Sequence, residues 1–323
     1  MLKRLLFAVT AASVAIWCSS AAAQDFPNKP VRIIVPWSPG GNVDITARTL
    51  QPALSEALGQ PVIVDNRAGA GGTIGTAAVV KSPADGYTLL LGSSGTITSG
   101  AAVFKNLSYN PLKDLVPVGP IQYVTMVLTA ALKTPVSNFK EYAALAKSKP
   151  GQISIASAGN GSSNHLALEL MARQAGLKLV HVPYKGSGQA INDLLGGQVD
   201  SMMDQMTASL EHIRGGRIKV LGVTSKTRSP LLPNVPTLDE QGLTGFEAGT
   251  FTGLFAPAGT PAAVLDKLHA ALEKALANAT VQTRYRSMGV EIMHMSRPEF
   301  AAYVQTDYEK WLKIAHEANI SIQ

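Results

Sequence analysis

Cysteine is almost missing from this 323-residue chain: the single one, Cys18, lies near the N-terminus. Beyond it disulfides, thiolate metal sites and a cysteine nucleophile are excluded together. Long apolar runs are missing too. The one at Leu5–Trp17 is shorter than the roughly 18 residues a membrane-spanning helix needs, and no other follows. The six histidines show no paired metal-ligand spacing. No Walker lysine motif occurs, and Gly69-Ala70-Gly71-Gly72-Thr73-Ile74 carries Ile74 where a dinucleotide fingerprint has its last glycine. Gly92-Ser93-Ser94-Gly95 has the wrong spacing for a nucleophile elbow. Neither a cofactor nor a metal is implied. Basic residues are scattered without a polybasic stretch, which argues against a nucleic-acid partner. No fixed-period repeat or low-complexity tract stands out.

What is present begins with a targeting segment. Lys3 and Arg4 precede the apolar run, and Ala21-Ala22-Ala23 offers a cleavage site, so residues 1–23 read as a secretory signal peptide. Ala15-Ile16-Trp17 before Cys18 is a poor match to a lipoprotein signal. The net charge of +6 falls to +4 once Lys3 and Arg4 are removed, an excess that mildly favours anionic ligands. About 300 residues remain, enough for a large core and two domains.

The stretch Val31–Arg48 organises the rest. Val31–Val35 is a short β-branched strand, Ser38-Pro39-Gly40-Gly41 turns, and Asn42 suits an N-cap. Val43, Ala47, Leu50, Leu54 and Leu58 then recur at helical spacing, and Gly59 suits the stop. Strand, glycine turn and helix aim backbone N–H groups and a positive dipole end at one point, which suits an anion. A plain βα turn, with Asp44 merely favouring the dipole, is the competing account.

Strands are predicted at 61–64 and 87–91, then 124–129, 153–156, 179–182, 199–203, 218–224 and 250–256. Helices are predicted at 73–80, 138–148, 164–174 and from 188 to 195. The repeated β-then-α order implies an α/β fold whose mostly parallel sheets are flanked by helices. Pro117, Gly119 and Pro120 mark a place for the chain to cross into a second lobe. Thr260-Pro261 opens a helix carrying Val264, Leu265, Leu268, Leu272 and Leu276. Ser296 and Glu299 form a capping box for a last helix with Phe300, Val304, Trp311 and Ala315 inward.

Four polar, glycine-containing loops follow strands: 36–42, 92–96 with Ser94 and Thr96, 157–163, and 184–188. Ligands bind at the carboxyl ends of strands in open α/β sheets, so these loops would face one cleft. They offer backbone N–H groups, hydroxyls and amides with few charges, an inventory that fits a small carboxylate. For several residues two readings stay open. His165 is a packing or hydrogen-bonding residue or a ligand contact. Asp204 meets an amine or hydroxyl of a ligand or caps the next helix. Lys185 pairs with a carboxylate or is simply solvated. Met202, Met203 and Met206 read as core filler.

Lys29–Pro36, then Pro39-Gly40-Gly41, Asp44 and Ala47-Arg48, resemble the opening of the Bug-type periplasmic receptors, the solute-binding proteins of tripartite tricarboxylate transporters. The resemblance continues through Asp65-Asn66-Arg67, Gly69–Gly72, Asp85–Leu89, Gly159–Leu166, Val182–Gly186 and Asp193–Asp200, nearly the whole chain in order. It implies a two-lobed periplasmic binding protein fold hinged by two chain crossings. Lobe 1 would comprise residues 24–123 and 246–323, and lobe 2 residues 124–245. It also implies a di- or tricarboxylate, an amino acid or an aromatic acid as ligand, with membrane transporter subunits or a sensor kinase as partner, and a monomeric protein in the periplasm. Trp37, Ser38, Gly40, Gly41 and Asp44 would line one wall, and Ala158, Asn160, Ser163 and His165 the other. Asp204 would face the far end of the ligand. Two departures stand out: Pro52 should kink the first helix near Arg48, and Ile97-Thr98-Ser99-Gly100 replaces a common asparagine-proline pair. A secreted enzyme using Asp44 and His165 as an acid–base pair, and a protein-binding module with a vestigial cleft, are the rival readings.

Overall fold

The computed structural model describes residues 26–317 and 320–322. The expected signal peptide and Cys18 lie outside the described residues.

The first expected unit forms with small shifts. β1 is Val31–Val35, and α1 runs from Asn42 to Leu58. Its N-cap is Gly41, so Asn42 is the first helical residue instead of the cap, and α1 is assigned as unbroken through Pro52. β2 (Val62–Asn66) pairs with β1 in parallel; α2 (Thr73–Val80) then leads to β3 (Thr88–Ser93), parallel on the other side of β1. Three short helices follow: α3 (Ser94–Ile97), α4 (Ser99–Val103) and α5 (Pro111–Asp114).

β4 is the main surprise. It is a single strand of 16 residues, Leu115–Ala130, that runs straight through Pro117, Gly119 and Pro120. Its register with β9 (Gly249–Pro257) shifts at those positions, which is how a strand absorbs residues that cannot sustain a regular ladder. Leu115–Thr125 pairs with β9, whereas Met126–Ala130 pairs with β7 (Ser201–Gln205) and, over Val127–Ala130, with β8 (Lys219–Val223). One strand therefore belongs to both lobes.

The second lobe repeats the plan of the first. α6 (Phe139–Ser148) precedes β5 (Ser154–Ser157), α7 (Ser163–Ala175) leads to β6 (Val180–Pro183), and α8 (Ser187–Leu195) leads to β7. β5 lies between β6 and β7, parallel to both, as β1 lies between β2 and β3. α9 (Met206–Arg214) precedes β8. The order along the main path of the sheet is β2-β1-β3-β9-β4-β7-β5-β6, with the outer strands parallel and the central β4–β9 pair antiparallel.

α10 (Ala262–Leu276), α11 (Ala279–Ser287), the two-residue β10 (Glu291–Ile292) and α12 (Arg297–Glu317) complete the chain. Leu265, Leu268, Leu272 and Leu276 are buried with Val31, Leu50 and Leu54 of β1 and α1. The capping box of α12 forms: Ser296 N–H donates to Glu299 Oε2 at 2.8 Å, and Glu299 N–H to Ser296 Oγ at 3.4 Å. Phe300 packs edge-to-face against Phe251 and tilted against Phe255 of β9, while Trp311 packs beside Leu166 of α7 in the other lobe. Among the described residues no helix is long and apolar enough to cross a membrane.

Candidate functional site

β1 and β5 are the points where the strand order reverses in each half, and the loops leaving them meet. Between them lies a narrow cavity of about 20 Å³. From the first half it is lined by Trp37 and Gly41 of the β1–α1 loop, Asn42 and Val43 of α1, and Ser93 at the end of β3. From the second come Ala158, Ser163 and Asn164 around the start of α7, Ser187 of α8, and Gln205 at the end of β7.

Two properties define this lining. No side chain in it carries a formal charge. And it is built from the beginnings of four helices: Asn42 and Val43 open α1, Ser163 and Asn164 open α7, Ser187 opens α8, and Gln205 is the N-cap of α9. The N-cap residues of α1, α8 and α9 make no side-chain capping bond. Helix starts carry unpaired backbone donors and a positive partial charge, so their convergence makes a neutral cavity attractive to an anion.

Donors on the first-lobe wall reinforce this. Trp37 Nε1 and Asn42 Nδ2 are buried and have no hydrogen-bond partner. Asn42 is 3% exposed and Trp37 6%. A buried donor left unpaired costs about 1–3 kcal/mol, which a bound acceptor would recover.

Of the twelve residues expected from the sequence, Trp37, Gly41, Ala158 and Ser163 line the cavity. The other eight do not. Asp44 is turned away: it accepts from Gly40 N–H at 3.0 Å, from Arg48 Nε at 3.0 Å and from Asn66 Nδ2 at 2.9 Å, and so braces the 37–44 loop from behind. Ser38 closes the lobes instead, its N–H donating to the Lys185 carbonyl at 3.2 Å. Thr96 bonds back to Ser93 N–H and C=O as a cap, and Ser94 Oγ accepts from Phe251 N–H at 3.1 Å. Asn160 is exposed. His165 sits behind its loop, taking Gly161 N–H on Nδ1 at 3.2 Å and stacking on His181 with ring centroids 4.2 Å apart. Burial and the neighbouring His165 ring push the His181 imidazole down to about 4.

Asp204 is fully buried one residue short of the cavity. Its Oδ1 accepts from Ser187 Oγ at 2.6 Å and Asn164 Nδ2 at 3.3 Å, and its Oδ2 from Ser209 Oγ at 2.7 Å. Burial raises its carboxyl to about 6, against the pull of those donors. Side chains alternate along β7, and the next residue, Gln205, is the one that lines the cavity.

Asn42, Val43, Ser93, Asn164, Ser187 and Gln205 were not singled out from sequence. Asn42, Ser93 and Ser187 lie inside loops that were, Val43 and Asn164 directly follow such loops, and Gln205 follows Asp204 at the end of β7. Asp44 and His165, the rival acid–base pair, are each tied to different partners, and among the described residues no hydrogen bond joins them. No group of three or more acidic, histidine or cysteine side chains suited to a metal occurs among the described residues.

The lobes meet closely around the cavity. A Cβ added at Gly188 would collide with the Pro39 carbonyl oxygen, and one at Gly186 with Ser38. Glycine is thus what allows the α8 loop to dock on the β1–α1 loop.

Comparison with known proteins gives a consistent answer. The family described as "Tripartite tricarboxylate transporter family receptor" matches residues 46–320. BugT of Bordetella pertussis is 37% identical over 303 residues, covering 94% of this chain and 93% of that protein. The structure of the periplasmic binding protein BugD superposes with a TM-score of 0.89 at 38% identity, over 92% of this chain and all of that one. MatC from Rhodopseudomonas palustris, with bound malate, superposes at 0.87 with 34% identity, over 90% of this chain and 99% of that one. A second R. palustris protein, with adipate, gives 0.88 at 32% identity, over 92% and 99%.

Proposed function

Since this chain belongs to the tripartite tricarboxylate transporter receptor family, we propose that it captures a small carboxylate between its two lobes and presents it to the membrane subunits of such a transporter. The observation that carries the reading is the neutral cavity at four helix starts, with Trp37 Nε1 and Asn42 Nδ2 left as buried donors without partners. An anion held by backbone dipoles and neutral donors needs no counter-charge. Relatives that hold malate and adipate fit the same chemistry.

The division of labour we propose is supported by the pairing of β4 and by the lining of the cavity. Residues 24–123 with 246–323 form one lobe and 124–245 the other, in keeping with the change of partner that β4 makes after Thr125. Trp37, Gly41, Ala158 and Ser163 contact the ligand together with Asn42, Ser93, Asn164, Ser187 and Gln205. Ser38, Gly40, Asp44, Thr96 and His165 hold the loops in shape. The protein acts by binding rather than turnover, as membership of a receptor family supports. Residues 1–23 direct export and are removed, leaving a periplasmic receptor.

The test is a thermal-stability screen of the chain from Gln24 onward against carboxylates, amino acids and aromatic acids. A ligand at 100 times its Kd adds about 2.7 kcal/mol, an easily read shift. A shift with one acid, abolished in Gly41→Leu, supports the reading. No shift with any acid, with no small molecule released on denaturing the purified protein, overturns it.

A further inference from the structure

The two walls of the cavity differ in hydrogen-bond polarity. On the first-lobe wall the free side-chain groups are donors, Trp37 Nε1 and Asn42 Nδ2. On the second-lobe wall the side-chain hydrogens of Ser187, Asn164 and Gln205 are already taken, and Ser163 Oγ accepts from Gln205. Ser187 Oγ–H is given to Asp204 Oδ1 at 2.6 Å. Asn164 Nδ2 serves the Met203 carbonyl, Asp204 Oδ1 and Gln205 Oε1 at 3.0–3.3 Å. Gln205 Nε2 serves Asn164 Oδ1 at 2.9 Å and Ser163 Oγ at 3.4 Å. An ionised carboxylate can only accept, so Asp204 fixes the direction of the Ser187 hydroxyl and leaves that oxygen's lone pairs for the cavity. With Asp204 itself fully buried, nothing else competes for that hydrogen at comparable distance.

We infer that the receptor selects a hydroxy acid: the carboxylate lies against Trp37 and Asn42, the hydroxyl donates to Ser187 Oγ, and Asp204 is the positioning residue that makes Ser187 an acceptor. This rests on the carboxylate reading and narrows it. A ligand presenting a second carboxylate or a bare methylene to Ser187 leaves an acceptor facing an acceptor or facing nothing, and a buried polar group without a partner discriminates strongly between otherwise similar ligands.

The experiment is calorimetry at pH 7 with matched pairs that differ by one hydroxyl, malate against succinate and lactate against propionate. In the wild-type protein the hydroxy member binds at least tenfold more tightly. Ser187→Ala brings the ratio near one while leaving the deoxy acid's affinity within about threefold. Asp204→Asn, which lets the Ser187 hydroxyl turn, lowers the ratio below threefold; if that variant folds poorly, Ser187→Ala carries the test alone. A ratio the same in both variants as in the wild type overturns the assignment. So does a tighter carboxylate ligand with no hydroxyl, in which case the carboxylate reading stands. Failure of every carboxylate to bind removes that reading itself.

Discussion

Gln122, on the strand shared by both lobes, donates from Nε2 to Oδ1 of Asn42 at 3.0 Å. That bond decides which end of the Asn42 amide faces the cavity: with its oxygen engaged by Gln122, its nitrogen is the end left without a partner. Gln122→Met keeps the length and burial but removes the donor, so the amide is free to turn its oxygen toward the ligand. Affinity for the carboxylate should drop about tenfold, the worth of one hydrogen bond of roughly 1.4 kcal/mol. Thermal stability without ligand should hardly change, because Gln122 Oε1 is already buried without a partner. Calorimetry beside a melting curve separates the two effects; an unchanged Kd would mean that the orientation of Asn42 does not matter.

Lobe closure offers a second test at Gly188. This residue lies in the first turn of α8 with no left-handed backbone requirement, so alanine is tolerated there by the helix itself. The obstacle is the Pro39 carbonyl of the other lobe. Gly188→Ala should therefore fold with an unligated melting temperature equal to or slightly above the wild type, yet lose most of the ligand-induced shift. Small-angle scattering should show the variant failing to contract on adding ligand. Normal contraction would show that the loops have room to part.

How far the sequence carried depended on whether the deciding signal was local. The β1–α1 unit, the capping box of α12 and the strand-end loops were legible because each is written in a short run of residues. β4 was not: Pro117, Gly119 and Pro120 look like a break, and only pairing with β9, distant in the chain, holds them in a strand with shifted register. Ser94-Gly95-Thr96 read as a loop but opens a helix, because Thr96 caps Ser93. In the site the loops were found and the facing residues often were not. Asp204 and Gln205 are adjacent, and only the register of β7 decides which one meets the cavity. Asn42 looked like a cap, and its true partner, Gln122, lies 80 residues away.

Asp204 and His181 should pull stability in opposite directions with pH. Asp204 has its carboxyl raised from 3.8 to about 6 chiefly by burial, with hydroxyl and amide groups around it and no cation. A raised acid binds its proton more tightly when folded, so its contribution is fully present below about pH 4 and is lost as the pH climbs through 6. At about 1.4 kcal/mol per pH unit this amounts to about 3 kcal/mol. His181 is lowered to about 4, so the unfolded chain takes up its proton first, and stability falls as the pH drops from 6.5 toward 4. Urea melts at pH 4 and 7 check both. Relative to the wild type, Asp204→Asn should gain stability between pH 4 and 7, whereas His181→Gln should gain it between pH 7 and 4. Parallel curves for Asp204→Asn would mean that the buried carboxyl titrates normally.

Trp37 isolates a single donor. Its ring is 6% exposed and packs into the core of the first lobe with Val35 and Val43, so deleting the ring would confuse packing with binding. Trp37→Phe keeps an aromatic face and removes the Nε1–H, which has no partner among the described residues. A hydrogen bond to a charged acceptor is worth about 1.5–3 kcal/mol, so the Kd should rise roughly 10- to 100-fold. Because the carboxylate loses a donor rather than a contact surface, the loss should be nearly the same for the hydroxy acid and for its deoxy partner. That uniformity distinguishes this wall from the opposite one, where Ser187→Ala should weaken the hydroxy acid alone. If Trp37→Phe instead penalised only the hydroxy acid, the ligand would lie the other way round, with its hydroxyl on Trp37 and its carboxylate toward Ser187.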